Sequence, residues 1–306
     1  MKISEKLKLI QRYSGLTQAQ LAVKIGVTFA ALNRWVNEQA SPRPVALQKI
    51  DELYLEYSGE KVIPEDILQA KKQLLIQKSH EYKDILKTLL SRPDVRDQFD
   101  LSLTYHSNKI EGSTLTENET GAILFQNKAI PNKSLTEQLE AKNHQTALHF
   151  LYNFVTDKKM IDENFILKLH SILMNGIHPD AGFYRRHGVR IVGTHVVTAN
   201  YVKVPFLMEK LISEIHKKNK DTLSKIASVH ASFEQIHPFP DGNGRIGRLL
   251  IHTMLLSENF PPAIIYQENR QKYFTYLQKA QLKGDISLFE DFLCDAVLDG
   301  FKIFEI

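Results

Sequence analysis

Residues 237–248 read His-Pro-Phe-Pro-Asp-Gly-Asn-Gly-Arg-Ile-Gly-Arg and lie between two apolar runs of helical period. A Pro-Phe-Pro entry followed by glycines places a rigid loop between two helices, the second opening on the glycines. A helix that starts this way presents free backbone N–H groups and the positive end of its dipole, a setting suited to phosphate. Arg245 and Arg248 are three apart, so they share a helix face and can grip further phosphate oxygens. Asp241 offers a hard oxygen of the kind Mg²⁺ takes beside a nucleotide. His237, just before the loop, can accept a proton near neutral pH.

Each part alone has an ordinary reading: a surface histidine, a Gly turn, a solvated arginine face. Base, carboxylate, anion cradle and arginine pair at one helix start are a different matter. The 306 residues suit two domains with cores of their own. One cysteine, Cys294, allows no intrachain disulfide and fits a reducing compartment. No charged-then-apolar leader opens the chain, and no apolar run approaches the roughly 18 residues of a membrane span. The expectation is a soluble cytoplasmic protein without a membrane partner, or an effector exported without a classical N-terminal mark. The net charge is +4 overall, and residues 1–57 hold eight Lys and Arg against five Asp and Glu. The excess is therefore N-terminal and points to an acidic partner for that segment.

That segment reads as short helices. Leu7, Leu9, Ile10 and Tyr13 make an apolar face that Gly15 ends. Thr17 caps a helix through Ile25 with Gly26 as its stop, and Thr28 caps another to about Glu38. Ala22, Gly26, Val27, Leu32 and Trp35 fall at the core positions of a helix-turn-helix. The stretch resembles the Xre/Cro-type helix-turn-helix family. That resemblance implies a recognition helix reading DNA through Thr28, Phe29, Ala30, Asn33, Arg34 and Asn37, with Lys24 and Arg43 on phosphate. With Arg34 its only basic residue, the same face also suits a protein-contact or dimerisation module, and a homodimer is left open.

Ser58-Gly59 marks a boundary, followed by a polar helix from about Pro64 to Leu90 with an apolar stripe of Ile67, Leu74, Leu75, Tyr82 and Leu86. Arg92-Pro93 breaks it. The expected domains are 1–57, a spacer at 58–98, and a mainly α domain at 99–306. Capping boxes begin at Thr116 and Ser134, and Asp162 caps a helix to about Gly176. The exception is residues 188–205, where Val189, Ile191, Val192, Val196, Val197, Tyr201, Val202 and Val204 surround Gly193 and Asn200 and predict a β-hairpin. Ser107 and Glu111 are four apart on a predicted helix that Gly112 stops.

The 237–248 run resembles the Fic family signature H-P-F-x-[D/E]-G-N-G-R-x-x-R at every specified position. The resemblance spans about residues 99–290 and implies a helical bundle that moves AMP from ATP to a protein hydroxyl, with ATP and Mg²⁺ as cofactors. It implies His237 as general base, Asp241 as metal ligand, Gly242, Asn243 and Gly244 as anion cradle, and Arg245 and Arg248 on the β- and γ-phosphates. The related Doc kinases carry Lys where Gly244 stands, so the glycine favours AMP transfer over phosphate transfer. The 189–205 hairpin becomes a flap that holds the target protein by strand addition, and Gly182-Phe183-Tyr184-Arg185 also fits the family. Residues 107–112 resemble the Fic inhibitory motif [S/T]-x-x-x-E-[G/N], on a helix at about 102–111. That implies Glu111 on Arg248, denying it to the γ-phosphate; in some relatives this glutamate also helps remove AMP. Asn269 and Tyr273 match residues that line an adenine pocket, and a core tyrosine is the other reading of Tyr273. Alternatives of another kind are a DNA-binding transcriptional regulator whose Fic domain is regulatory, and transfer of UMP, GMP or phosphocholine.

Overall fold

A computed structural model describes residues 1–191 and 196–305. In chain order its helices are α1 (Ile3–Ser14), α2 (Gln18–Ile25), α3 (Phe29–Val36), α4 (Pro44–Ser58), α5 (Glu65–His80), α6 (Ile85–Ser91), α7 (Pro93–Glu111) and α8 (Glu117–Gln126). Then follow α9 (Leu135–Thr156), α10 (Glu163–Leu173), α11 (Val204–His216), α12 (Thr222–Ile236), α13 (Asn243–Ser257), α14 (Arg270–Lys283) and α15 (Ser287–Phe304). Short 3-10 turns stand at Tyr201–Lys203 and Gln267–Asn269, and no strand occurs among the described residues. The chain forms two compact units: Met1–Pro64 with Glu268–Phe289, and Glu65–Gln267 with Glu290–Ile306.

In the first unit, Thr17 and Thr28 each accept a backbone N–H at the start of α2 and α3, and Gly26 closes α2 in the left-handed conformation only glycine adopts freely. Leu7, Ile10, Leu21, Ala22, Ile25, Leu32, Trp35, Ile50 and Leu53 form its core. Thr28, Phe29, Ala30, Arg34 and Asn37 remain exposed on α3, with Asn33 half-buried, and Lys24 and Arg43 are exposed beside them. Asn37 Nδ2 donates to Asn33 Oδ1 at 2.7 Å, tying two residues of that face together.

The second unit is built around α13, whose residues 245–256 are buried almost without interruption. A helix buried on every side in this way belongs inside a bundle. Helices α7, α9, α10 and α12 pack around it. Gly247 lets α12 approach closely: a Cβ there would collide with Glu234 Oε1 and lie 2.9 Å from the His230 ring.

Two sequence expectations are corrected. The helix predicted over 64–90 is two helices, because Asp84 caps a new start by accepting Lys87 N–H at 2.8 Å. Its inward face is also rotated: Ile67 and Leu74 are 53% and 44% exposed, while Leu68, Lys72, Leu75 and Ser79 are buried. Lys72 lies on this buried face, ion-paired with Asp221 (2.6 Å) and Glu290. The second correction concerns the hairpin. Val192 and Gly193 lie outside the described residues, and the described parts of 189–205 form no strand. Tyr201–Lys203 is a 3-10 turn and Pro205 stands in the first turn of α11, where its fixed φ and missing N–H favour a helix start over a ladder. The two arms still meet, Thr198 Oγ1 donating to Val189 O at 2.8 Å.

Candidate active site

Helix α12 ends on His237, which sits in the left-handed region at φ 52°, ψ 62°. A non-glycine residue there is strained and persists only when its surroundings hold it. Arg185, itself buried, does so: its Nε donates to His237 O at 2.7 Å, its Nη2 to Ile236 O at 3.3 Å, and its backbone N–H to Pro238 O at 2.9 Å. The same Nη2 reaches Ala199 O, and Ala199 N–H donates to Gln235 O, so the segment leading to α11 is fastened beside His237.

The loop beyond is equally fixed. The Phe239 ring stacks on His170 at 3.8 Å between centroids. His170 Nε2 donates to Asp241 O at 3.1 Å while its Nδ1 accepts Gly182 N–H at 2.8 Å, and burial lowers its pKa to about 4. Asn243 turns its side chain back onto Phe239, Oδ1 accepting the N–H and Nδ2 donating to the carbonyl, both at 2.9 Å. Gly242 has φ 77°, and a Cβ there would stand 2.9 Å from Met174 Sδ. The first intrahelical bond of α13 is Ile246 N–H to Gly242 O, so the N–H groups of Asn243, Gly244 and Arg245 precede it at the positive end of the dipole.

His237 Nδ1 lies 3.2 Å from Glu234 O, a carbonyl that can only accept. Nδ1 therefore carries the proton and Nε2 keeps a lone pair. Burial is the largest influence on the ring and lowers its pKa, which holds it neutral. Glu234, one turn earlier, is pushed up to about 8 by burial and then by the nearby Glu111 carboxylate, so it is protonated at neutral pH. Burial and the Arg248 charge also depress His252 and His230, each to about 3.

Arg248 is buried and its charge is met by α7. Its Nη2 pairs with Glu111 Oε1 at 2.7 Å, its Nε donates to Ser107 Oγ at 2.9 Å, and Nη2 also donates to Ser107 O at 3.0 Å. Gly112 ends α7 immediately afterwards at φ 110°. The Glu111 carboxylate lies over Gly244, where any Cβ would overlap it. The glycine thus makes room for an anion at the helix start, and the chain itself supplies one. Arg245 is also occupied: Nη1 pairs with Glu140 Oε1 at 2.7 Å, and Nη2 stands 3.8 Å from Asp241 Oδ1. The Asp241 side chain is 58% exposed. Among the described residues no three His, Cys, Asp or Glu gather as a metal cage. A single exposed carboxylate fits the mode of Mg²⁺, which keeps waters and takes its other oxygens from phosphates.

His237, Asp241, Gly242, Asn243, Gly244, Arg245, Arg248, Ser107, Glu111 and Gly112 all belong to the second unit, around the start of α13. Asn269 and Tyr273 belong to the first. The Tyr273 ring is 1% exposed, edge-on to Phe274 and tilted against Phe289, a core placement. Sequence reasoning passed over Glu140, His170 and Glu234. Arg185 was noticed only as part of a matching tetrapeptide. A local signal exists for Glu234 alone, one helical turn before His237; the partners of the others are set by tertiary contact.

Site and fold together define an all-helical domain in which a buried histidine stands beside a helix start that the chain's own glutamate occupies. Residues 160–255 match the Fic/DOC family and residues 14–54 match a helix-turn-helix family, so the chain carries a Fic/DOC domain and an N-terminal helix-turn-helix domain. It is 34% identical over 194 residues to protein adenylyltransferase Fic of Drosophila persimilis, an alignment covering 62% of this chain and 38% of that protein. Protein adenylyltransferase Fic of Drosophila melanogaster is 34% identical over 195 residues, with 62% and 39% covered. The chain thus spans well under half the length of these relatives. Among solved structures, Fic-1 (residues 134–508) from C. elegans has a TM-score of 0.69 at 21% identity, covering 97% of this chain and 95% of that one. A Fic family protein from Desulfovibrio desulfuricans G20 has a TM-score of 0.65 at 26% identity, with 79% and 74% covered.

Proposed function

We propose that this chain transfers AMP from ATP to a Ser, Thr or Tyr hydroxyl of a target protein, and that Glu111 holds the reaction off. The observation that carries this reading is the Glu111–Arg248 pair lying over Gly244 at the open start of α13, with His237 Nε2 free to accept a proton. The names of the relatives support the nucleotide and the reaction.

When Glu111 withdraws, the γ-phosphate takes its place on Arg248 and the N–H groups of residues 243–245 face the remaining phosphate oxygens. Asp241 would hold Mg²⁺, which neutralises phosphate charge when bound. The target hydroxyl gives its proton to His237 Nε2 as its oxygen bonds to the α-phosphorus, and the bond to pyrophosphate breaks in line. Arg185 and Glu234 O keep the imidazole aimed throughout. Exposed Val197 and Val202, on the arm fastened through Ala199, offer apolar surface for the target chain.

The test is labelling of protein with ATP carrying a label on its α-phosphate. Glu111→Gly should raise self- or target labelling about 5–150-fold, the usual range of a regulatory coupling. Adding His237→Ala should then lower it by about 10²–10⁴-fold. Equal labelling with and without Glu111 would overturn the autoinhibitory reading. Incubating labelled target with the wild-type chain asks separately whether Glu111 supports removal of AMP.

A second reading concerns the N-terminal domain, whose exposed α3 face and basic balance favour DNA. Full-length protein should shift duplex DNA in a salt-dependent manner, weakened by Arg34→Ala. Salt-insensitive or absent binding would assign that face to protein contact.

A further inference from the structure

The charge arrangement at Arg245 points to a role for Glu140 that the 237–248 run does not contain. Arg245 is 2% exposed and lies between two carboxylates. Glu140, from α9, holds Nη1 at 2.7 Å, whereas Asp241 Oδ1 stands 3.8 Å from Nη2, beyond hydrogen-bonding distance. Nη2 otherwise faces Met174 Sδ at 3.8 Å, and the buried Nε has no hydrogen-bond partner among the described residues. The guanidinium is thus short of acceptors and, apart from Glu140, its nearest carboxylate is the exposed one expected to bind metal.

We propose that Glu140 is a positioning residue for the metal carboxylate: by holding Arg245 it keeps the guanidinium from closing on Asp241 and leaves the Asp241 oxygens for a divalent cation. The inference rests on the proposed function, in which Asp241 is the metal ligand. A buried arginine deprived of its partner must find another anion. A shift of about 1 Å would bring Nη2 into a charge-assisted bond with Asp241. Both residues lie at the start of α13, four positions apart, so no rearrangement of the bundle is needed. Metal binding would then have to break that bond first.

The experiment uses the full chain carrying Glu111→Gly, saturated with a methylene-bridged ATP analogue that cannot release pyrophosphate. Mn²⁺ is titrated and followed by electron paramagnetic resonance, with a thermal melt of each variant as a check on folding. Adding Glu140→Gln should weaken Mn²⁺ binding about tenfold, and Glu140→Asp should recover part of the loss. The deciding variant is Glu140→Gln with Met174→Gln, which keeps the guanidinium but offers its Nη2 an amide acceptor in place of the thioether, and should restore Mn²⁺ binding to within about threefold. Unchanged binding in Glu140→Gln overturns the proposal. So does a double variant as weak as the single, since Glu140 would then only brace α9. Asp241→Asn provides the control: if it leaves Mn²⁺ binding intact, the metal assignment in the proposed function fails, and this inference with it.

Discussion

His237 combines three properties a base needs: a free Nε2, a fixed direction and a neutral resting state. The first comes from the Glu234 carbonyl on Nδ1, the second from Arg185 on its own carbonyl, and the third from burial. Because burial lowers its pKa, the base form predominates above the ordinary histidine value of about 6.5. AMP transfer by the Glu111→Gly chain should therefore rise with pH on the acid side and be flat from about pH 6.5 upward, as read from initial labelling rates. An inflection above pH 7 would show a ring held in its protonated form. The residues of the 237–248 run were legible because they are contiguous. Glu140 and Arg185 were not, since their partners lie 105 and 52 positions away and nothing in local spacing marks them.

At the scale of elements, helix starts were the most legible feature. Thr17, Thr116 and Ser134 each close a capping box with a residue three positions on, an interaction wholly contained in four residues. The face of α5 was not legible, because hydrophobic periodicity assumes lysine points outward. Lys72 points inward to Asp221 and Glu290, on the buried face. Lys72→Met should cost about 3–5 kcal/mol by leaving Glu290 buried and unpaired. Adding Glu290→Leu should recover much of that loss in a thermal or denaturant melt. If the double variant is no more stable than the single, the ion set is not what orients α5. Among the described residues of 189–205 no strand forms, because β-branched composition alone does not decide one.

At the scale of the whole molecule, α13 gathers charge into the bundle and the surrounding histidines stay neutral to permit it. His144, His170, His230 and His252 are all buried with pKa values lowered mainly by burial. A histidine whose folded pKa lies below its unfolded value of about 6.5 takes its proton only when the chain unfolds. Stability is therefore complete above that value and is lost as pH falls through it. Glu234 acts in the opposite sense, since its proton is held by the folded state up to about pH 8, but it is one group against four. The unfolding midpoint should fall between pH 6.5 and 4.5. A midpoint constant over that range would mean these histidines are charged in the folded chain. The sequence by itself determined helix starts and stops, the loop chemistry at 237–248 and the helix-turn-helix pattern, because each is an agreement among residues a few positions apart. The Glu111–Arg248 pairing was accessible only through a family resemblance, its partners being 137 positions apart. Tertiary structure alone decided which carboxylate meets which arginine, that Lys72 faces inward, and that residues 268–289 join the first unit. The physical reason is common to all three: ion pairing and burial are settled by distance in space, and local spacing carries no record of it.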